Sequence, residues 1–172
     1  MAEIEDLTND EFNIIAAEHG FAPEMLVKDY YITILLYLLR NTEGVYFKGG
    51  TALQKTILDY TRLSEDIDFT LERELKSVKS EIINAVNSSE IFGKIMQDKD
   101  VEGFTRLIVP YETNLGKSAV FIDLNERSKL LMKSENKEIK HFYPNIPKFR
   151  FPCLGEKEMV AEKIAAAIGR NK

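Results

Sequence analysis

The chain has 172 residues, 44% of them hydrophobic, and a formal net charge of -5 at pH 7. This length fits one domain with a core of ordinary size, and the acidic balance argues against a broadly basic surface for nucleic acid. One cysteine, Cys153, excludes an internal disulfide, and two histidines, His19 and His141, leave little for zinc sites or catalytic triads. Any metal site would therefore consist mainly of carboxylates, which suit Mg²⁺ or Mn²⁺.

The sequence carries no sign of export or of membrane insertion. The first ten residues, "MAEIEDLTND", are acidic and lack the basic and apolar regions of a secretory signal. The longest apolar run, residues 30–39, is well short of the roughly 20 residues that a membrane span needs. We therefore expect a cytoplasmic protein with no membrane partner.

The first two predicted elements are helices. Residues 8–11, "TNDE", have the spacing of a capping box, and apolar residues follow at helical intervals until Gly20, where a helix often ends. A second helix is predicted for residues 23–40, because proline favours the first turn and no glycine or further proline interrupts the segment. Its strongly apolar second half indicates burial.

A strand, a glycine pair and a third helix come next. Residues 44–48 predict a short strand that enters Gly49 and Gly50 directly, and a helix is predicted from residue 51 to about residue 60. Apolar residues at helical spacing mark the inward face of this helix: Leu53, Ile57 and Tyr60.

The segment "DIDFTL" alternates between polar and apolar residues, which predicts a strand with one buried face. Asp66 and Asp68 share the polar face, beside solvent or a ligand. After a helix near residues 77–86, two further strands are predicted at residues 104–111 and 118–124, and in the second of these Asp123 lies on the face opposite the apolar residues. A last helix, near residues 155–170, has four apolar residues at helical spacing: Val160, Ile164, Ala167 and Ile168.

Strands and helices follow one another without a regular βαβα rhythm. This order favours the α+β class, with a small mixed or antiparallel sheet flanked by helices. We expect helices on one face of the sheet and the acidic residues on the other.

The two aspartates of the polar strand face predict a metal site. On a strand, Asp66 and Asp68 lie about 7 Å apart at their α-carbons and point the same way. Two like charges this close repel each other, and a divalent cation relieves the repulsion by making them a ligand pair. Such pairs serve phosphoryl transfer, in which metal ions activate the attacking oxygen and hold the phosphates.

The glycine pair predicts an anion site next to these acids. Backbone N–H groups at a glycine-rich turn that feeds a helix can bind phosphate, and Thr51 would add a hydroxyl. Asp123 is the strand-embedded candidate for a third carboxylate, either as a metal ligand or as a general base. Each feature alone is more often structural: a glycine pair is usually a turn, and an Asp-x-Asp pair a solvated strand face. Their combination in this order favours a functional site.

Two segments, "KGGTAL" and "RLSEDIDF", resemble the signature of the AbiEii/AbiGii nucleotidyltransferase toxin family, a branch of the DNA polymerase β-like superfamily. "VKDYYITILL" and "EKIAAAIGRNK" are similar to two further helices of that family. The resemblance implies a polymerase β-like fold and Mg²⁺-dependent transfer of a nucleoside monophosphate from an NTP. It also implies a toxin of bacterial toxin–antitoxin or abortive phage infection systems, with an antitoxin partner.

The resemblance also assigns residues to roles. Matched to the family, Gly49, Gly50 and Thr51 form the phosphate-binding turn, and Asp66 and Asp68 bind metal. Asp123 matches a third carboxylate by its strand placement only. Two cations match phosphate-binding or charge-neutralising positions, Lys163 on the last helix and Arg62 before the acidic strand, and Lys48 is a further candidate.

Family members continue past the point where this sequence ends, with an arginine–aspartate segment and further helices. Residues 1–172 are therefore interpreted as the N-terminal nucleotidyltransferase lobe without the C-terminal helical part. Three functions stay open: an enzyme that modifies an RNA (including tRNA), a protein or a small acceptor; a non-catalytic lobe that binds nucleotide or antitoxin; and a glycosyltransferase whose metal site is the Asp-x-Asp pair. The glycine pair argues against the third, because it has no obvious role there.

Overall fold

The computed structural model describes residue 4 and residues 7–113, 116–126 and 129–169. Within this part, five helices alternate irregularly with seven strands. The helices are α1 (Asn9–His19), α2 (Pro23–Leu39), α3 (Gly49–Thr56), α4 (Leu75–Asn87) and α5 (Glu156–Gly169). The strands are β1 (Val45–Lys48), β2 (Asp66–Leu71), β3 (Met96–Val101), β4 (Phe104–Thr113), β5 (Gly116–Asn125), β6 (Glu135–Glu138) and β7 (Arg150–Cys153).

The seven strands form one open mixed sheet in the order β3-β4-β5-β2-β1-β7-β6. The pairs β2/β5 and β1/β7 are parallel, and the other four neighbouring pairs are antiparallel. The predicted α+β class with a mixed sheet is confirmed. The strand order has one consequence for the site, because the first half of β2 lies between the end of β1 and the second half of β5.

The N-terminal helices form as local sequence signals predict. The Thr8 hydroxyl accepts a hydrogen bond from the Glu11 backbone N–H, and the Glu11 carboxylate accepts one from the Thr8 N–H at 2.8 Å, so the capping box is complete. Gly20 ends α1 in the left-handed region, with φ +72°. Phe12 of α1 meets Tyr30 of α2 edge to face, with ring centroids 5.3 Å apart.

The core lies between α2, α4 and one face of the sheet. The second half of α2 is buried apart from the partly buried Leu38, as its apolar run predicts, and it packs on α4 and β5. The facing strand residues include Phe69 of β2 and Ile122 of β5, both with no exposed surface. Because side chains alternate along a strand, the opposite face of β2 and β5 presents the polar residues. No helix in the described ranges is long and apolar enough to cross a membrane.

Helix α3 differs from the prediction at both ends. It begins at Gly49 rather than at Thr51, so the glycines form its first turn, and it ends at Thr56 rather than near residue 60. The chain leaves the helix early because Tyr60, in the left-handed region with φ 49°, turns its hydroxyl to the ammonium group of Lys55, 2.8 Å away. Tyr60 is buried as predicted, although not as part of the helix.

Three strands had no counterpart in the sequence prediction. β3 and β6 form the two edges of the sheet, and their mostly exposed, charged residues show no apolar alternation. β7 has only four residues, one of them proline. Strands of this kind are specified by their neighbours rather than by their own sequence pattern.

The last helix, α5, forms where the apolar spacing predicts it, but the apolar stripe faces outward. Val160, Ile164 and Ile168 are 42%, 56% and 62% exposed. The side of α5 that packs toward α3 instead carries Met159, which is 2% exposed, and Glu162, which pairs with Lys48 at 3.4 Å.

Candidate active site

Three aspartates meet on the polar face of the sheet. Parallel pairing of β2 with β5 places Asp68 directly beside Asp123, and Asp66 lies two residues earlier on β2. Neighbouring strands are about 4.8 Å apart, so the carboxylates of Asp68 and Asp123 start from adjacent positions on the same face. The structure thus brings together the three aspartates that were predicted on two separate strands.

Basic residues flank the acids along one row across the sheet. In the strand register, Lys48 of β1 is paired with Asp68, and Arg106 of β4 is paired with Asp123. The row therefore reads positive, negative, negative, positive from β1 to β4. Lys48 forms an ion pair with Glu162 of α5, whereas Arg106 forms one with Asp123.

Arg106 binds Asp123 through two hydrogen bonds. The Nε atom of Arg106 donates to Oδ1 at 2.6 Å, and its terminal nitrogen donates to Oδ2 at 2.7 Å. These bonds raise the pKa of Arg106. Sequence reasoning did not select Arg106, although a signal was present: pairing the two predicted strands as a hairpin would have placed an arginine opposite Asp123.

Asp66 and Asp68 lack such a partner. Within the described ranges, the side chain of neither residue takes part in a hydrogen bond or an ion pair. Burial raises the pKa of Asp68 to about 6, with a further contribution from the charges of Asp123 and Asp66. Burial also raises the pKa of Asp66, and the positive charges of Lys28 and Arg106 oppose that shift. Both carboxylates therefore lie where an added positive charge would be stabilising.

Two of the three carboxylates, those of Asp66 and Asp68, are suitable ligands for a divalent cation. Over the part of the chain that the structure describes, no three His, Cys, Asp or Glu side chains are already arranged to hold a metal ion together. Both oxygens of Asp123 accept hydrogen bonds from Arg106. Asp66 and Asp68 are half-buried and form no ion pair in the described part of the chain, so they remain as hard oxygen ligands of the kind that Mg²⁺ and Mn²⁺ prefer.

Gly49 lets helix α3 begin in contact with the acids. Its φ of +80° lies in the left-handed region, and a Cβ atom at this position would overlap the Asp68 carboxylate. Only glycine allows this close approach of backbone and carboxylate.

Gly50 faces a cradle formed by two cations and a hydroxyl. A Cβ atom placed on Gly50 would lie 3.4 Å from a terminal nitrogen of Arg62, 3.8 Å from Nζ of Lys163 and 4.0 Å from Oγ of Ser64. Arg62 precedes β2 and Lys163 belongs to α5, so the fold assembles the predicted cations from segments about 100 residues apart. The first-turn N–H groups of α3 add partial positive charge to this cradle.

Ser64 is a member of the cradle that the sequence analysis missed. Its Oγ atom is buried and has no hydrogen-bond partner among the described residues. A buried hydroxyl without a partner is uncommon, and here it faces two cations and a helix start. Ser64 lies before β2, so the alternation of side chains along that strand gave no signal for it.

Thr51 has a different position from the one predicted. The residue is 3% exposed, and its hydroxyl donates to the backbone carbonyl of Asp66 at 2.5 Å. This hydrogen bond of Thr51 links α3 to β2 beside the cradle.

Comparisons with known proteins agree with this architecture. The family model described as "Nucleotidyl transferase AbiEii toxin, Type IV TA system" matches residues 36–172. The structure of JHP933 from Helicobacter pylori is similar with a TM-score of 0.62 and 18% identity, over 83% of this chain and 56% of that chain. A second H. pylori protein, provisionally named a nucleotidyltransferase, gives a TM-score of 0.58 and 19% identity, over 83% and 59% of the two chains.

The chain thus spans a little over half the length of these two solved proteins. Among functionally curated proteins, none is significantly similar to it. The structural likeness confirms the expected nucleotidyltransferase type of fold. The family match covers most of the sequence, including the glycine pair and all three aspartates, and it shows that the chain belongs to the AbiEii nucleotidyltransferase toxin family.

Proposed function

We propose that this chain is the nucleotide-binding lobe of a metal-dependent nucleotidyltransferase, which transfers a nucleoside monophosphate from an NTP to an RNA, such as a tRNA, or to a protein. The observation that carries this proposal is the placement of Asp66 and Asp68 directly beside the Gly49–Gly50 start of α3. Acids for a cation and a cradle for phosphates then share one surface.

The triphosphate would lie in the cradle at Gly50. Arg62 and Lys163 supply two positive charges, the α3 backbone supplies N–H donors, and Ser64 supplies a hydroxyl with no other partner. Charge-assisted hydrogen bonds of this kind are about twice as strong as neutral ones, and phosphate oxygens accept several at once. A triphosphate in this position would have its inner phosphates next to the aspartates.

Asp66 and Asp68 would hold Mg²⁺ or Mn²⁺. When bound, a divalent cation supplies neutralisation of phosphate charge and activation of the acceptor oxygen. Asp123 is the third carboxylate of the proposed site. We place it as a ligand that becomes available when Arg106 leaves it, because both of its oxygens accept hydrogen bonds from Arg106 in this structure.

We further propose that the transferase acts in the cytoplasm as the toxin of a bacterial toxin–antitoxin or abortive phage infection system, with a cognate antitoxin. The description of the matching family, as toxins of type IV systems, supports this role. A second candidate function is a non-catalytic lobe that binds nucleotide or antitoxin. It is favoured by the engagement of Asp123 by Arg106.

The test is a calorimetric titration of each of the four NTPs, with and without Mg²⁺, into the wild type and into Asp66→Asn and Asp68→Asn. Asp59→Asn is a matched control, since Asp59 is exposed and pairs with Lys140 away from the site. We expect metal-dependent binding that only the two site substitutions abolish. Transfer of labelled nucleotide to RNA or protein then separates the enzyme from the non-catalytic lobe, and absence of metal-dependent NTP binding by the wild type would refute the proposal.

A further inference from the structure

Asp123 is bound by Arg106 in this structure, whereas a metal site made of three carboxylates would need the oxygens of Asp123 as ligands. Within the described ranges, Asp123 is the one aspartate of the three whose side chain has an ion-pair partner. Both of its oxygens accept hydrogen bonds from Arg106, at 2.6 and 2.7 Å. The side chain of Arg106 is 29% exposed and that of Asp123 is 14% exposed. Bidentate pairs of this geometry are among the strongest side-chain contacts.

The position of Arg106 is set by its surroundings. The antiparallel register of β4 and β5 places it opposite Asp123, and its guanidinium carbon lies 5.7 Å from the ring centre of Phe121, on the strand that carries Asp123. Other carboxylates are near, since the charges of Asp66 and Asp98 also act on Arg106. Arg106 thus has one strong partner, Asp123, and two further carboxylates whose negative charges act on it.

A guanidinium and a divalent cation cannot share Asp123 freely. They would be a few ångströms apart, where like charges repel strongly in a partly buried site. The carboxylate also has its two oxygens already engaged by the fork of the arginine.

We propose that Arg106 is a positioning residue that competes with a divalent cation for Asp123, so that the free protein holds one cation at Asp66 and Asp68 and binds a second one only when Arg106 leaves Asp123. This inference rests on the proposed function of the site. Because an NTP adds several negative charges beside the aspartates, the second cation is expected to enter together with nucleotide.

The experiment counts bound Mn²⁺ by electron paramagnetic resonance, with and without a non-hydrolysable NTP, in the wild type and in Arg106→Gln. We expect one Mn²⁺ per wild-type chain without nucleotide and two with it. In Arg106→Gln we expect a second Mn²⁺ to bind about tenfold more tightly without nucleotide, as removal of a charge-assisted competitor predicts. Adding Asp123→Asn to Arg106→Gln should remove this gain.

Two further variants isolate the effect. Arg73→Gln is the matched control, because Arg73 forms a similar two-pronged pair with Glu81 outside the site, and it should bind Mn²⁺ as the wild type does. Arg106→Lys keeps the positive charge but not the fork, and should give a smaller gain than glutamine. If Arg106→Gln does not fold in a thermal unfolding scan, the lysine variant carries the test.

Unchanged or weaker Mn²⁺ binding in the folded Arg106 variants would overturn the inference. If one Mn²⁺ still binds the wild type and is lost in Asp68→Asn, the proposed function stands while the role of Arg106 does not. If the wild type binds no Mn²⁺ at all, with or without nucleotide, both fail.

Discussion

The buried charge of Asp68 lowers the free energy of unfolding by an amount that can be measured without any substrate. Folding raises the pKa of its carboxyl from 3.8 to about 6, mainly through burial. The folded protein therefore binds more protons than the unfolded chain in this interval, and the free energy of unfolding falls as the pH rises through it. Above about pH 6 the full cost of the buried charge is present.

Replacing this charge should stabilise the protein. We expect Asp68→Asn to raise the free energy of unfolding by about 1–3 kcal/mol at pH 7.5 without metal, because the variant removes the buried charge that raises the pKa of Asp68 to about 6. The gain should vanish near pH 4, where the wild-type carboxyl is protonated in the folded protein. Urea denaturation at the two pH values measures it, with the exposed Asp59→Asn as control, and a less stable variant at pH 7.5 would contradict the prediction.

Gly49 and Gly20 form a matched pair for testing the close approach of α3 to Asp68. Both have positive φ, +80° and +72°, but a Cβ at Gly20 meets nothing within 4 Å while one at Gly49 overlaps the Asp68 carboxylate. Gly20→Ala should cost about 1–2 kcal/mol of unfolding free energy from its backbone conformation alone. Gly49→Ala should cost more and should also lose NTP binding. Equal losses of stability in chemical denaturation, with NTP binding retained, would show that the contact with Asp68 is unimportant.

Among the elements, α3 depends on a buried polar cluster at its C-terminal end. The ammonium group of Lys55 has no exposed surface and lies 2.9 Å from Oδ1 of Asp29 on α2. It also donates to Thr33 and Tyr60, and the Tyr143 hydroxyl donates to Asp29 at 2.9 Å. The cluster fixes α3 against α2, and so fixes the glycine end of α3 against the aspartates.

Removing one partner of this cluster should be costly. Asp29→Ala leaves a buried, unpaired Lys55, which predicts a loss of about 3–5 kcal/mol. Glu65, whose side chain is 70% exposed and pairs with Lys28 of α2, gives the comparison, since Glu65→Gln should cost less than about 1 kcal/mol. Thermal unfolding of both variants measures the difference, and a loss from Asp29→Ala as small as that from Glu65→Gln would show that Lys55 finds another partner.

The same elements show what the sequence could and could not predict. α1 and β2 were predicted correctly because their signals are local: a capping box with a terminal glycine, and a strict alternation that puts Asp66 and Asp68 on one face. The end of α3 was not, because the buried cluster at Lys55 joins residues that are far apart in the sequence: Asp29 of α2, Tyr60 after α3 and Tyr143. The role of Arg106 depends on strand register, which follows from the folded sheet and not from either strand alone.

At the scale of the whole molecule, charge is distributed unevenly. The chain is acidic overall, with a net charge of -5, yet the fold places two cations, Arg62 and Lys163, at the start of α3. Neither has an ion-pair partner within the described ranges. A fold that leaves positive charge uncompensated at one point of an acidic surface favours anion binding there.

These two cations should contribute to triphosphate affinity in equal measure. We expect Arg62→Gln and Lys163→Gln each to weaken NTP binding about fivefold to tenfold, and to affect a nucleoside monophosphate less, because fewer phosphate oxygens reach the cradle. Lys157→Gln is the control, as an exposed lysine on the same helix. Calorimetry provides the affinities, and unchanged NTP binding in both site variants would place the triphosphate elsewhere.

The contact between Gly49 and Asp68 also has a genetic consequence. Every amino acid other than glycine brings a Cβ atom, so every possible missense change at codon 49 meets the same carboxylate. At Gly50 the nearest atoms leave room for a methyl group, 3.4 Å from Arg62. A saturation library selected for folded protein should therefore return glycine alone at position 49, and glycine together with small residues at position 50. Selection for NTP binding should return glycine alone at both positions, because a Cβ atom on Gly50 would lie among Arg62, Lys163 and Ser64, where the triphosphate is proposed to bind.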